Sequence, residues 1–256
     1  MLRSMKALRG YKILTIDGEI GTAREFYFDD KYWTIRYLVV DTGKWLPGRQ
    51  VLISPFALRK PDWSKKLFPV NLTKEQVENS PPMDEARPVS RQKEMELVTY
   101  YNWPTYWTGL GVRTPGAVPM PHEQVNREKT SSEAKSEDLH LRSSREVINY
   151  NIQALDGEIG HVDDFIIEDE TWIIRYMVVD TRKWLHWLPG GKKVLISSAW
   201  FSKVVWSEKT VYVDLPRDRI KDSPEFDPAT PINRKYEIML FDFYGRPKYW
   251  IDVDEE

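Results

Sequence analysis

Two stretches of the chain, Asp17–Leu46 and Asp156–Leu185, are one stretch written twice. At a constant offset of 139 residues, 18 of 30 positions are identical. Both begin Asp-Gly-Glu-Ile-Gly, and both continue into Ile-Arg-Tyr, one variable residue, Val-Val-Asp-Thr and then Lys-Trp-Leu. Four extra residues around His186-Trp187 move the offset to 143. It then holds through Val51–Ser54 against Val194–Ser197, and through Val70–Trp107 against Val213–Trp250, with 14 of 38 identities. The repeating unit therefore runs to about 100 residues. That is long enough to bury its own core, so the repeat is a duplicated domain and not one turn of a solenoid.

Between the copies, Thr108–Val147 has no Phe, Trp or Tyr and includes the polar tract Glu128–Asp138. Such a composition buries too little apolar surface to offset its ordering entropy. The reading is a first domain at 1–107, a flexible linker at 108–147 and a second domain at 148–256. A coil of that length has an r.m.s. span of about 35 Å, enough for the domains to pack together or separate.

Within one unit the pattern is short strands and turns. Tyr11–Ile16 alternates into the Asp17-Gly18 turn, and Ile20–Phe28 is a second strand. Trp33–Val40 then alternates, with Trp33, Ile35, Tyr37 and Val39 on one face and Thr34, Arg36, Leu38 and Val40 on the other, which predicts a half-buried antiparallel strand. Val51–Ile53 is a further strand. Turn residues every 8 to 12 positions predict a small barrel. The last third of each unit turns helical. Thr73–Gln76 has capping-box form, and Ser90 or Asn233 caps a helix that runs to Tyr101 or Tyr244. The expected fold is mainly β with helical appendages (α+β): two tandem small antiparallel β-barrels.

The motifs Asp-Gly-Glu-Ile-Gly, Ile-Arg-Tyr-x-Val-Val-Asp-Thr and Val-Leu-Ile-Ser resemble a PRC-barrel domain, over roughly 9–59 and 148–201. The aromatic tails Tyr-x-x-Pro-x-Tyr-Trp resemble those of stand-alone two-copy bacterial members. The family is named for the cytoplasmic domain of the photosynthetic reaction-centre H subunit, and it includes the carboxy-terminal domain of a ribosome maturation factor. The resemblance implies barrels that bind proteins, with no catalytic residues to carry over. The H subunit's membrane helix and the maturation factor's preceding domain have no counterpart here.

Composition narrows the chemistry. Lys+Arg 37 against Asp+Glu 39 gives a formal charge of −2, with no long basic run, so the concentrated positive charge that binds nucleic acid is missing. The chain has no cysteine, which excludes a disulfide framework, a thiolate zinc site and a cysteine nucleophile. Met1–Gly10 lacks a secretory apolar core, and no apolar run approaches the roughly 20 residues that span a bilayer. The chain reads as cytoplasmic, with membrane association as the alternative.

Four groups of residues bear on a site. The repeated Asp17/Glu19 and Asp156/Glu158 offer paired carboxylates but read as turn and solvent-facing residues. His122, His140, His161 and His186 do not recur between copies, and no metal-ligand or triad spacing accompanies them. Arg36 and Arg175 sit mid-strand, where an internal pair with a neighbouring Asp explains them. The remaining group is the turn carrying Trp45 and its counterpart Trp184, joined by Trp187 and Leu188. Exposed Trp and Leu there would mark a partner contact.

These readings make the chain a non-catalytic protein–protein interaction or scaffold module, with no cofactor, no metal and an unidentified protein partner. Self-association and intramolecular barrel–barrel pairing are both open. The alternatives are a peripheral component of a membrane complex of photosynthetic type and a ribosome-assembly-type adaptor.

Overall fold

The computed structural model describes residues 1–43, 45–47, 49, 51–83, 89–107, 141–182 and 191–250. The first unit runs β1 (Leu2–Ser4), α1 (Met5–Leu8), β2 (Lys12–Thr15), β3 (Gly18–Asp29), β4 (Thr34–Asp41), β5 (Val51–Ile53), β6 (Leu67–Pro69), α2 (Lys74–Glu78) and α3 (Arg91–Tyr101). The second follows with β7 (Leu141–Ser143), α4 (Ser144–Val147), β8 (Asn151–Ala154), β9 (Gly157–Glu168), β10 (Ile174–Asp180), β11 (Lys193–Ser197), β12 (Phe201–Val205), β13 (Thr210–Val213), α5 (Arg217–Asp222) and α6 (Arg234–Tyr244). No helix among the described residues is long and apolar enough to cross a membrane.

Each unit builds one sheet, ordered β5-β4-β3-β2-β6 in the first and β11-β10-β9-β8-β13-β12 in the second. The sheets are mixed, which corrects the purely antiparallel expectation: β2 pairs with β6, and β8 with β13, in parallel. Parallel neighbours need a long crossover, and here β3 to β5 in the first unit and β9 to β12 in the second, with their connections, supply it. A 3₁₀ turn follows the edge strand in each unit, at Pro55–Ala57 and Ser198–Trp200. In the second unit this turn carries the chain from one edge strand, β11, directly into the other, β12. The preceding Ser54 and Ser197 accept a hydrogen bond from the second residue of the turn, at 3.3 Å in both copies.

The helices start and stop where the sequence predicts. Thr73 and Gln76 form the reciprocal capping box of α2, and the side chains of Ser90 and Asn233 cap α3 and α6. The strand Trp33–Val40 departs from its expected alternation. Tyr37 pairs with Tyr27 while Ile35 pairs with the next residue, Phe28, so Arg36 is the extra residue of a β-bulge. Arg175 occupies the same bulge between Ile174 and Tyr176. The bulge turns Tyr37 and Val39 away from Ile35. They join a second apolar cluster with Leu52, Met83, Val89 and Leu97 beneath α3, so β4 is buried on both faces.

The segment assigned from composition to the end of the linker also differs. Leu141–Val147 is strand and helical turn, so the second unit begins at Leu141; the rest of the expected linker, 108–140, lies outside the described residues. The repeat in fact starts at Leu2-Arg3-Ser4, matched by Leu141-Arg142-Ser143 at the same offset of 139. These two tripeptides cross over. β1 of the first unit pairs with β9 of the second, and β7 of the second pairs with β3 of the first. Tertiary pairing partners decide the structure here, because three residues carry too little pattern to be read as a strand alone.

Candidate functional site

The crossed strands belong to a seam with approximate two-fold symmetry. At its centre Thr34 bridges Ile173; the Ile35 amide donates to the Trp172 carbonyl at 2.8 Å, and the Ile174 amide donates to the Trp33 carbonyl at 2.7 Å. Trp33 and Trp172 both take positive φ, at 51° and 59°. Trp33 stacks on Phe28 at 5.1 Å and meets Phe201 of the other unit at 4.9 Å, edge on. One continuous hydrophobic core therefore spans both units.

The flanks repeat the symmetry in polar terms. Arg3 pairs with Asp169 at 2.6 Å and lies over Trp63 at 3.6 Å. Its counterpart Arg142 faces Asp30 at 3.6 Å and lies over Trp206 at 4.2 Å. The Ser4 hydroxyl donates to Asp164, and the Ser143 hydroxyl to Glu25. Burial raises the Asp164 carboxyl above the usual range, although Ser4 and two backbone amides oppose it. At Asp163 burial acts upward too, but hydrogen bonds from Lys193 and Lys6 outweigh it and hold that carboxyl below the usual range.

The sign gives a pH prediction. A depressed carboxylate stabilises above its unfolded pKa and loses that contribution as pH falls through the folded value. Asp163→Asn is expected to lower stability at pH 7 by up to about 1 kcal/mol, a figure already discounted for solvent screening. Urea unfolding at pH 7 and pH 3 checks this: the gap between wild type and variant should narrow at pH 3, and a constant gap would contradict it.

Beside the seam each unit locks its last helix with the same buried group. Glu94, 1% exposed, accepts from Tyr106 at 2.5 Å and Tyr37 at 3.4 Å and pairs with Arg91 at 2.9 Å. Glu237 does the same with Tyr249 and Tyr176, both at 2.7 Å, and with Arg234 at 2.9 Å. Burial, then the neighbouring Glu94, raises the Tyr37 and Tyr106 hydroxyls. They stay protonated and act as donors. The bulge residues Arg36 and Arg175 stack on Tyr106 and Tyr249 at 4.0 and 4.3 Å.

Most residues singled out from sequence have structural partners. Asp17 accepts from the Lys74 amide at 2.9 Å and Asp156 from the Arg217 amide at 2.8 Å, so each Asp-Gly turn holds the start of the following helix. Glu19 pairs with Lys12 at 2.9 Å. Arg36 pairs with Asp29 at 2.6 Å, as expected; Arg175 pairs instead with a glutamate, Glu168, at 2.6 Å. Arg182 holds the Asp180 carboxyl down to about 2, although burial opposes it. Trp45 is half-buried and packs on the core, which weakens its case as a free contact. Trp184, Trp187 and Leu188, with His186, lie outside the described residues, as do His122 and His140. Among the described residues no cluster of three His, Asp or Glu side chains is placed to hold a metal ion.

A cavity of about 270 Å³ opens along the seam, on the side of the first unit. Its buried lining combines the apolar Ile35, Val98 and Trp172 with Tyr37 and the hydroxyl residues Thr34, Ser54 and Thr171. Its exposed lining residues, Phe56, Arg59, Lys60 and Glu170, form the rim. Arg36 and Tyr106 line it too, while Asp169–Trp172 come from the second unit. Neither repeat makes this site alone.

Sequence reasoning passed over Phe56, Arg59 and Lys60. The available signal was a difference between the copies. Ala57, Leu58 and Val98 of the first unit face Trp200, Phe201 and Phe241 at the matching positions of the second. Trp200 and Phe201 pack on the core, and Phe241 meets Trp200 at 5.2 Å. No protein-family model and no curated protein matches the chain.

Proposed function

We propose that this chain is a non-catalytic scaffold in which two PRC-barrel-type units, joined as one body, present a composite groove to a protein partner. The 3₁₀ turn that carries one edge strand into the other supports the barrel reading, because it is how a short open sheet is bent round on itself. The observation that carries the functional reading is the cavity at the seam, whose lining comes from both copies. A duplicated domain that kept its copies independent would have no such shared site, and duplication would serve avidity alone. The residues most suggestive of chemistry in the sequence, Asp17, Asp156, Arg36 and Arg175, are committed to capping and ion pairs. They maintain the frame that holds the groove open.

The test is affinity capture of the tagged full chain from its own cells, with soluble and membrane fractions kept apart, followed by cross-link mapping. A stoichiometric partner cross-linked to both units supports the reading. A partner confined to one unit, or none in either fraction, overturns it.

A further inference from the structure

Resting on the scaffold reading, we infer that the seam groove takes an extended peptide segment of the partner, with an apolar or aromatic anchor side chain flanked by carboxylates. Size and openness together point to a single side chain rather than a whole small molecule. Sites that engulf a small molecule run from roughly 300 to 1,000 Å³ and cover most of its surface. The cavity here is about 270 Å³, with exposed residues along its rim. It accommodates one large side chain and leaves the chain that bears it outside.

The floor sets the character of that side chain. Ile35, Val98 and Trp172 are 2%, 8% and 7% exposed and offer an apolar seat, while the buried hydroxyls beside them, on Thr34, Ser54 and Thr171, are engaged with Tyr32, Phe56 and Glu168. Arg36 cannot serve a ligand charge, since it is already paired with Asp29 and covered by Tyr106.

The rim sets the flanking charge. Arg59 and Lys60 are exposed neighbours, and neither has an ion-pair partner among the described residues. Among the described residues these cations answer to no carboxylate, and a carboxylate beside the anchor is their complement. Glu170 stands on the part of the rim contributed by the second unit and repels acid there, so the carboxylates belong on the Arg59–Lys60 side.

The duplication supplies an internal control. Both copies keep the framework of buried glutamate, two tyrosines and stacked arginine. The second copy carries Phe201 and Phe241 where the first has Leu58 and Val98, and Ser202 where the first has Arg59. Leu58, Val98 and Arg59 are thus replaced together in the second copy, while Lys60 is kept as Lys203, which lies over Tyr212 at 4.5 Å. The framework packs without Leu58, Val98 or Arg59.

The probe is a displayed library of random heptapeptides panned against the full chain, with enriched peptides synthesised and titrated. Two variants accompany the wild type. Arg59→Glu/Lys60→Glu reverses the rim without breaking an internal pair. Leu58→Phe/Val98→Phe installs the second copy's residues and fills the floor. The expected result is enrichment of peptides with an aromatic or aliphatic residue beside Asp or Glu, with affinity falling about tenfold or more in each variant. Affinity should also fall with rising salt. No enrichment, enrichment of basic or purely polar peptides, or affinity unchanged in the charge-reversed chain would overturn the assignment. If these occur while the captured partner still cross-links to both units, the scaffold stands and the groove is not its contact.

Discussion

Gly21→Ala is expected to leave the first unit unfolded or to lower stability by at least about 4 kcal/mol, a large share of the 5–15 kcal/mol that holds a typical domain together. Gly21 has φ of +145°, and a Cβ built there would lie 2.0 Å from the Asp41 carbonyl oxygen. The cause is local. Ile13 pairs with Gly21 and Leu14 with Glu19, so Ile20 is an extra residue that bends β3 against β4. Backbone stands on the far side, so no flexible side chain can yield. Gly160 repeats the arrangement, with φ of +153° and the Asp180 oxygen at 2.4 Å, and Gly160→Ala should behave alike. Asp17→Ala, four residues earlier in the same motif and exposed, loses only its hydrogen bonds from the Lys74 amide and the Thr15 hydroxyl and should lower the unfolding midpoint far less. Circular dichroism with urea titration distinguishes these outcomes. A Gly21→Ala protein as stable as Asp17→Ala would refute the steric account.

The second large effect lies at the seam. Trp33→Ala removes a side chain that is 7% exposed and packed on Phe28, Phe165 and Phe201, and it should cost about 3–5 kcal/mol. The form of the loss matters as much as its size. Because one core spans both units, the wild type should unfold in a single cooperative transition. With Trp33 truncated, the contact to Phe201 is gone and the coupling weakens, so the transition should broaden or split. Calorimetry reads this directly. Two transitions in the wild type would mean that the units fold independently and that the seam contributes little. The groove depends on the same seam, so peptide affinity should drop in this variant even at temperatures where both units remain folded.

Duplication, strand content and the two capped helices were legible in the residues because each rests on local pattern. Repeated identity needs no structure to be seen. Ser90, Asn233 and the Thr73–Gln76 box announce helix starts through their own side-chain chemistry. Other features have no local signature. The alternation from Trp33 to Val40 suggested one buried face, and the bulge at Arg36 made it two, since a bulge is defined by a partner strand distant in sequence. The Asp-Gly-Glu-Ile-Gly motif invited a chemical reading of its carboxylates. Its most constrained member is the second glycine, Gly21 or Gly160, through contact with a strand about twenty residues away. Trp45 drew attention as a candidate partner contact; the structure shows it half-buried, with part of its surface against the core.

The sequence by itself determined that this is one domain used twice, β-rich, with a helical tail on each copy, because these follow from repetition, periodicity and capping within a few residues. Only the tertiary structure decided that the copies exchange their first strands, share a core across Trp33 and Trp172, and enclose a groove lined from both. Those outcomes depend on which distant segments meet. Three-residue strands and a cavity left by Leu58 and Val98, where Phe201 and Phe241 stand in the other copy, acquire meaning only once the two halves are placed against each other.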